Sequence, residues 1–157
     1  MKYRYFTCDV FTDTRFCGNQ LAVLPHAGGL SDSEMQTIAR EFNFSETAFV
    51  FPPEEGYTRK VRIFTPTTEV PFAGHPNIGA AFVLAETGEL GGKEVLESIC
   101  FEEKAGLVPI KILQHPNSPR QFELKAPETL TASPFEAVAT IADALSLNSD
   151  QIIEKHH

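Results

Sequence analysis

Residues 71–88 read PFAGHPNIGAAFVLAETG and contain the most apolar part of the chain. Pro76 suits the first turn of a helix and Gly88 suits its end, so the segment predicts an abrupt step from a strand into a helix at 75–87. Apolar residues cover nearly all sides of this helix, which predicts that it is buried. The remaining elements are therefore expected to surround it.

Strand patterns lie on both sides of this segment. Before it, β-branched and aromatic runs predict four strands, at 3–11, 21–24, 46–51 and 58–65. The first two are expected to form a hairpin or meander. After it, three more strands are predicted, at 95–101, 107–113 and 120–125, with a hairpin turn at Gly106 between the first two.

Capping patterns predict the other helices. Ser31 and Glu34 form a capping box before apolar residues at helical spacing, which predicts a helix at 32–42. A second capping box, at 133–136, predicts a helix that ends near Leu145, and a further one is expected to start at Asn148 or Ser149.

Composition and charge exclude several classes of function. The 157 residues are 42% hydrophobic and 22% charged, as in an ordinary globular domain and unlike a disordered or fibrous chain. Lys and Arg number 13 against 21 Asp and Glu, a formal net charge of −8, and the basic residues form no run. Nucleic acids and anionic membranes are therefore not expected as partners.

The cysteines and the N-terminal sequence predict a cytoplasmic protein. Cys8, Cys17 and Cys100 are odd in number and contain no CxxC pair, which predicts reduced thiols. The first residues, MKYRYFTCDV, lack the apolar stretch of a secretory signal. No apolar run is long enough to predict a membrane span.

Gly74-His75-Pro76 is the most informative local motif. A glycine lets a ligand approach the backbone, and the free N–H groups at a helix N-terminus favour an anion. His75 adds a group that titrates near neutral pH. Alternatively, Gly74 is only a turn residue and His75 only a polar cap.

Glu46, in the segment NFSETAFVF, is the second candidate. A carboxyl group among apolar residues is suited to general acid/base catalysis. Alternatively, Glu46 is a charged residue at the start of a strand and faces water.

Other chemistry has weaker support. The His and Cys residues are dispersed along the chain and lack the spacing of metal ligands, so no metal site is predicted. The exception is the pair His156-His157 at the chain end. These two are native residues or a tag remnant. No phosphate-binding glycine motif occurs, and no nucleotide cofactor is expected. Cys17, before Gly18-Asn19, is the one thiol in a turn-like setting and a candidate nucleophile.

Three ordered segments resemble the phenazine-biosynthesis-like (PhzF) family of isomerases and epimerase-like proteins. They are DVFTDTRFCGNQLAVLP at 9–25, EFNFSETAFVFPP at 41–53 and VRIFTPTTEVPFAGHPNIGAAFVL at 61–84. They match family patterns around F-x-G-N, S-E-T and G-H, in order and at fitting intervals. One departure is Gln20, where the family usually has a proline.

The resemblance implies an α+β fold like that of diaminopimelate epimerase, in which a curved, mostly antiparallel sheet wraps around a buried central helix. Family members have two such lobes and nearly twice this length. Residues 1–157 are therefore expected to form the N-terminal lobe, with 146–157 beginning the crossover to a second lobe. The expected partners are that second lobe, a small carboxylated metabolite and a second copy in a homodimer.

The resemblance also implies roles for individual residues. Glu46 corresponds to the glutamate that moves a proton on and off carbon without a cofactor. Gly74 and His75 are expected to line the substrate site, and Asn19 is a further expected substrate-binding residue. The implied function is a cofactor-independent isomerase completed by the second lobe, with the substrate left open.

Two alternatives remain. Racemases of similar fold use paired cysteines, one of them in a C-G-N context, so Cys17 could serve a thiol-dependent racemase. The chain could also be a non-catalytic metabolite-binding or interaction module.

Overall fold

The computed structural model describes residues 2–90, 96–114, 119–127 and 137–152. Within these ranges, eight strands form one sheet: β1 (Phe6–Val10), β2 (Asn19–Leu24), β3 (Glu46–Phe51), β4 (Arg59–Phe64), β5 (Glu69–Val70), β6 (Ser98–Glu103), β7 (Gly106–Leu113) and β8 (Gln121–Leu124). The helices are α1 (Asp32–Phe42), α2 (Gly74–Glu86) and α3 (Val138–Ala144), with a short 3-10 helix at Ser149–Gln151.

The sheet is mostly antiparallel. Its strand order is β1-β2-β3-β4-β6-β7-β8, and β5 pairs with β4 off this path. Two neighbouring pairs, β2 with β3 and β4 with β6, are parallel. Parallel neighbours need a long crossover. Here α1 lies in the first crossover and α2 in the second.

The sheet curves around α2. This helix contacts β1, β2 and β3 near one end of the strand order and β8 at the other end. The rings of Phe82 on α2 and Phe122 on β8 meet edge to face, 6.3 Å between centroids. A flat sheet could not place both of its ends against one helix. The α+β class, with a curved sheet around a central helix, is confirmed.

The predicted burial of α2 is confirmed over most of the helix, and Phe82 is its exposed apolar residue. Eight of its residues are buried, from His75 to Leu84, whereas Phe82 is 40% exposed. Phe82 lies beside β8, where the sheet ends, so the sheet does not cover that side of the helix.

Helix α1 covers the other face of the sheet. A second apolar cluster joins Met35 and Ala39 of α1 to Phe49 and Phe64 of the sheet. The predicted Ser31–Glu34 capping box is present, and the predicted bounds of α1 are confirmed. Because this face is covered, the Arg62 side chain on β4 is only 19% exposed.

Several element bounds differ from the sequence prediction. The first strand is shorter than 3–11, β5 was not predicted, and β6 begins and ends later than 95–101. The short helix expected at Asn148 or Ser149 is a 3-10 helix with Asn148 as its cap. The capping box at 133–136 and the residues His156 and His157 lie outside the described residues. No helix in the described ranges has the length and apolarity needed to cross a bilayer.

Candidate active site

The parallel pairing of β2 and β3 brings two of the predicted motifs together. Leu21 lies opposite Glu46, so the starts of both strands meet at one edge of the sheet. Ser45, just before β3, donates a hydrogen bond from its hydroxyl to Asn19 Oδ1 at 3.1 Å. The Gly18-Asn19 and Ser45-Glu46 motifs therefore form one continuous surface.

The third motif meets Glu46 from α2. Alternation along β3 points Glu46, Ala48 and Val50 toward the core that contains α2. Glu46 Oε2 lies 3.5 Å from His75 Nε2, and neither atom has a hydrogen-bond partner among the described residues. The His75 side chain is 8% exposed and that of Glu46 is 20% exposed, so solvent or a ligand can still reach the carboxyl group.

His75 is held in its neutral form near pH 7. Burial lowers its pKa below the usual value, and this outweighs the opposing effects of the Glu46 charge and of a hydrogen bond with the Gln20 main chain. A neutral imidazole can donate from one nitrogen and accept at the other. The pair is therefore a carboxyl group beside a neutral histidine, in a largely buried setting.

Gly74 lies at an open position at the start of α2. The N-cap residue, Ala73, provides no side-chain hydrogen bond to the first turn of the helix. The site where a Cβ of residue 74 would lie has no neighbouring atom within 4 Å. The N–H groups of this turn lack a side-chain cap and can donate hydrogen bonds to an anion.

The turn between β1 and β2 borders Asn19 and is unusual in conformation. Phe11 and Phe16 have positive φ angles of 63° and 67°, and their side chains are 76% and 88% exposed. A Cβ on Gly18 would lie 2.5 Å from the Val10 carbonyl oxygen, so this close approach requires glycine. The sequence did not predict that these aromatic side chains would be exposed.

Cys17 lies in the same turn and is exposed. The other two cysteines lie in β1 and β6. Burial, with a smaller effect of Asp9, raises the pKa of Cys8 to about 11, and burial also raises the pKa of Cys100. Both are therefore protonated thiols at neutral pH.

Two buried polar groups were missed in the sequence: Asn77 in α2 and Glu103 at the end of β6. Asn77 is fully buried in the helix, and the carboxyl oxygens of Glu103 at the end of β6 are buried. The signal for Glu103 was strand alternation, because Ile99 and Phe101 share its face. Among the described residues, no three His, Cys, Asp or Glu side chains form a group that could hold a metal ion.

Comparison with known proteins identifies the family. Residues 8–156 match the model of the phenazine biosynthesis-like proteins, PhzC-PhzF. The uncharacterized isomerase YddE of Salmonella typhimurium is 38% identical over 154 residues, which are 98% of this chain and 50% of the relative. The trans-2,3-dihydro-3-hydroxyanthranilate isomerase of Pseudomonas aeruginosa is 39% identical over 111 residues, 70% of this chain and 37% of that enzyme.

A solved structure agrees with this assignment. The crystal structure of a PhzF-family protein from Bacillus anthracis matches with a TM-score of 0.80 and 31% identity, covering 98% of this chain and 50% of that one. The chain thus spans half or less of the length of these relatives. It belongs to the phenazine biosynthesis-like (PhzC-PhzF) family, among relatives named as isomerases.

Proposed function

We propose that this chain is the first lobe of a cofactor-independent isomerase that moves a proton between carbon atoms of a small carboxylated metabolite. The observation that carries the proposal is Glu46 Oε2, which has no hydrogen-bond partner in the described part of the chain and lies 3.5 Å from a neutral His75 at the start of a buried helix. Structural carboxylates in proteins are normally paired or hydrogen-bonded. An unpaired carboxyl oxygen in such a setting suits a group that takes and returns protons.

Glu46 acts as both base and acid in the proposed reaction. Its carboxylate removes a proton from a carbon next to a C=C bond of the substrate. The electron pair of the broken C–H bond forms a new double bond, and the electron pair of the original C=C bond shifts to the far carbon of that bond. The Glu46 carboxylic acid then returns the proton to a different carbon. No electrons are gained or lost overall, so the step needs no redox partner.

His75 and the first turn of α2 hold the substrate. The N-cap residue Ala73 provides no side-chain cap for the N–H groups near Gly74. A substrate carboxylate placed at this turn would accept hydrogen bonds from these N–H groups. Neutral His75 can donate to a polar group of the substrate without adding a second charge. Asn19 accepts the Ser45 hydrogen bond at Oδ1, so its amide nitrogen is the atom that would donate to the same ligand.

A second lobe completes the site in this proposal. The support is the length of the relatives, of which this chain covers at most half in the three cases above. The second lobe would exclude water and face Glu46 across the substrate, and residues 146–157 would begin the connection to it. We also propose a cytoplasmic location and a homodimer for the two-lobe protein, as expected from the sequence.

Deuterium exchange tests the proposed reaction. A protein that carries both lobes is incubated in deuterated water with trans-2,3-dihydro-3-hydroxyanthranilate, the compound in the name of the Pseudomonas aeruginosa relative, and with other cyclic hydroxy-amino acids. Turnover with deuterium entering the product at carbon supports the proposal. Turnover that continues undiminished in Glu46→Gln would overturn the assigned role of Glu46.

A further inference from the structure

One row of strand neighbours connects the two members of the candidate site. Thr47 on β3 lies opposite Phe64 on β4, and Phe64 lies opposite Glu69 on β5. Glu46 directly precedes Thr47 in the chain. At the other end of the row, the chain continues from Glu69 into the start of α2 and reaches His75. The position of His75 relative to Glu46 therefore depends on how the segment 69–73 is attached to β4.

Strand β5 alone attaches this segment weakly. It has two residues, and its register partners on β4 are Ile63 for Val70 and Phe64 for Glu69. A strand this short forms few ladder hydrogen bonds. Val70 and Phe72 also pack against the core around α2, but apolar contacts are non-directional and do not specify a position along the neighbouring strand. Polar contacts are needed to fix that position.

Glu69 makes these contacts with its side chain. Arg62 on β4 donates from Nε to Glu69 Oε1 at 2.7 Å and from Nη2 to Glu69 Oε2 at 2.8 Å. Lys104, in the turn between β6 and β7, also donates to Glu69 Oε2. The main chain of the same turn holds the segment two residues later, where the Ala105 N–H donates to the Pro71 carbonyl oxygen at 3.2 Å.

The Arg62–Glu69 pair is the strongest of these attachments. The two side chains are only 19% and 14% exposed, whereas Lys104 is 60% exposed. A bidentate pair with little exposure fixes both distance and orientation, and an exposed lysine adds less. The Arg62 hydrogen bonds hold the pKa of Glu69 below its usual value although burial opposes this, so Glu69 is a carboxylate at neutral pH.

The guanidinium of Arg62 is oriented independently of Glu69. Its Nη1 donates to Asp32 Oδ1 at 2.7 Å, at the start of α1. Its central carbon lies over the ring of Phe64, 5.3 Å from the centroid. Arg62 is thus held in place by two other elements of structure and presents its remaining N–H groups to Glu69.

We propose that Glu69 and Arg62 are positioning residues for the candidate active site. Their ion pair sets where the chain enters α2, and so holds His75 at its distance from Glu46. Arg62 does not enter the site itself, because it contacts α1 on the face of the sheet opposite α2. The effect on catalysis rests on the proposed function, whereas the placement of His75 does not.

An NMR titration of the His75 imidazole in this chain tests the placement. Burial lowers the pKa of wild-type His75 below 6.5. Glu69→Gln removes the charge and one acceptor, so the segment loosens and water reaches the imidazole. We expect the His75 midpoint to rise by about 0.5 pH unit or more toward its ordinary value. Loss of the Glu69 charge would by itself lower this midpoint, so a rise reports movement of the segment.

Arg62→Lys is the second variant. It keeps the charge but loses the bidentate geometry, and the His75 midpoint should again rise. An unchanged or lowered midpoint in Glu69→Gln overturns the proposal. If that variant does not fold, the same result in Arg62→Lys overturns it.

Glu102→Gln is the matched control. It alters a carboxylate that accepts three N–H hydrogen bonds, and it lies opposite Lys60 at the other end of β4. Its His75 midpoint should equal that of the wild type, whatever its effect on the free energy of unfolding. An equal rise in Glu102→Gln and Glu69→Gln would also overturn the proposal, because the shift would then follow stability and not the position of the segment.

Kinetics of the two-lobe protein test the effect on catalysis. A small misplacement of groups that act together is costly, so kcat of Glu69→Gln should fall by about tenfold or more. Glu102→Gln should have a kcat near that of the wild type. An unchanged kcat in Glu69→Gln would overturn the catalytic part of the proposal and leave the proposed function standing. Failure of the proposed function would appear instead as undiminished turnover in Glu46→Gln.

Discussion

Glu46 is the residue on which the proposed chemistry depends. In a protein that carries both lobes, Glu46→Gln keeps the size of the side chain and removes its ability to take a proton. We expect turnover to fall by about 10²–10⁴-fold, the usual loss for a missing general acid or base. Substrate binding, measured by calorimetry on the same protein, should change little.

Cys17 provides the control for this prediction. It is exposed in the turn between β1 and β2, and the proposed reaction does not use it. Cys17→Ala should therefore have turnover near that of the wild type. A loss as deep as that of Glu46→Gln would favour the thiol-dependent racemase that the sequence left open.

The sequence motifs could identify the residues that meet at the site but not all of their partners. Asn19, Glu46 and His75 were named from motifs, and the structure places them together through the β2–β3 register and the start of α2. Glu103 was missed because the strand was predicted to end at residue 101. A carboxyl group in the sequence EEK is typical of a turn, and alternation with Ile99 and Phe101 places it on the core face only because the strand continues to residue 103.

The close packing of α2 on β1 and β2 depends on Gly79. A Cβ at this position would overlap the side chains of Leu21 and Val10 and come within 3.3 Å of Cys8. Gly79→Ala should destabilise the fold by about 1–3 kcal/mol, the cost of overpacking a core, despite the higher helix propensity of alanine. Urea denaturation of this chain measures the difference.

Gly74→Ala is the matched variant on the same helix. A Cβ there meets no atom within 4 Å, so its stability should equal or exceed that of the wild type. Equal destabilisation by both variants would contradict the close contact at Gly79, because it would show that any substitution in α2 has the same effect.

The loop between β3 and β4 is attached to β6 through Glu102. Burial raises the pKa of this carboxyl, but N–H donors from Glu54, Glu55 and Tyr57 outweigh burial and leave the pKa below its usual value. A group with a lowered pKa stabilises the fold above its unfolded pKa, and this stability is lost as pH falls through the folded pKa.

Glu102→Gln should therefore lower the urea midpoint at pH 7, because an amide cannot accept all three N–H groups. The difference from the wild type should shrink as the pH falls below about 4.5. Glu123→Gln on the exposed end of the sheet should show neither effect. A midpoint difference that is constant with pH would mean that the charge of Glu102 does not matter.

Elements with a strong local signal were predicted well, and those set by pairing were not. Helix α1 has a capping box and apolar residues at helical spacing, and its bounds were correct. The first strand starts at Phe6 because Phe6 pairs with Val23, so residue 4 would lie opposite Pro25, which has no N–H to donate. Strand β5 has only two residues and carries no detectable pattern.

At the scale of the whole molecule, the proposal requires both lobes. One lobe supplies Glu46 and His75 but no facing wall, so the purified 157-residue chain should show no isomerase turnover. The longer two-lobe protein, assayed at the same concentration by deuterium exchange, is the positive control. Turnover by the chain alone, in a preparation free of the longer protein, would refute the two-lobe proposal.

The parallel pairing of β2 with β3 affects the order in which the chain can fold. Antiparallel neighbours such as β6 and β7 meet through a two-residue turn, whereas β2 and β3 cannot pair until the long connection through α1 has closed. Contacts of large sequence separation form slowly. Hairpins can therefore form and break early in folding without bringing Asn19 and Glu46 together, and these two residues become neighbours only when the crossover through α1 closes.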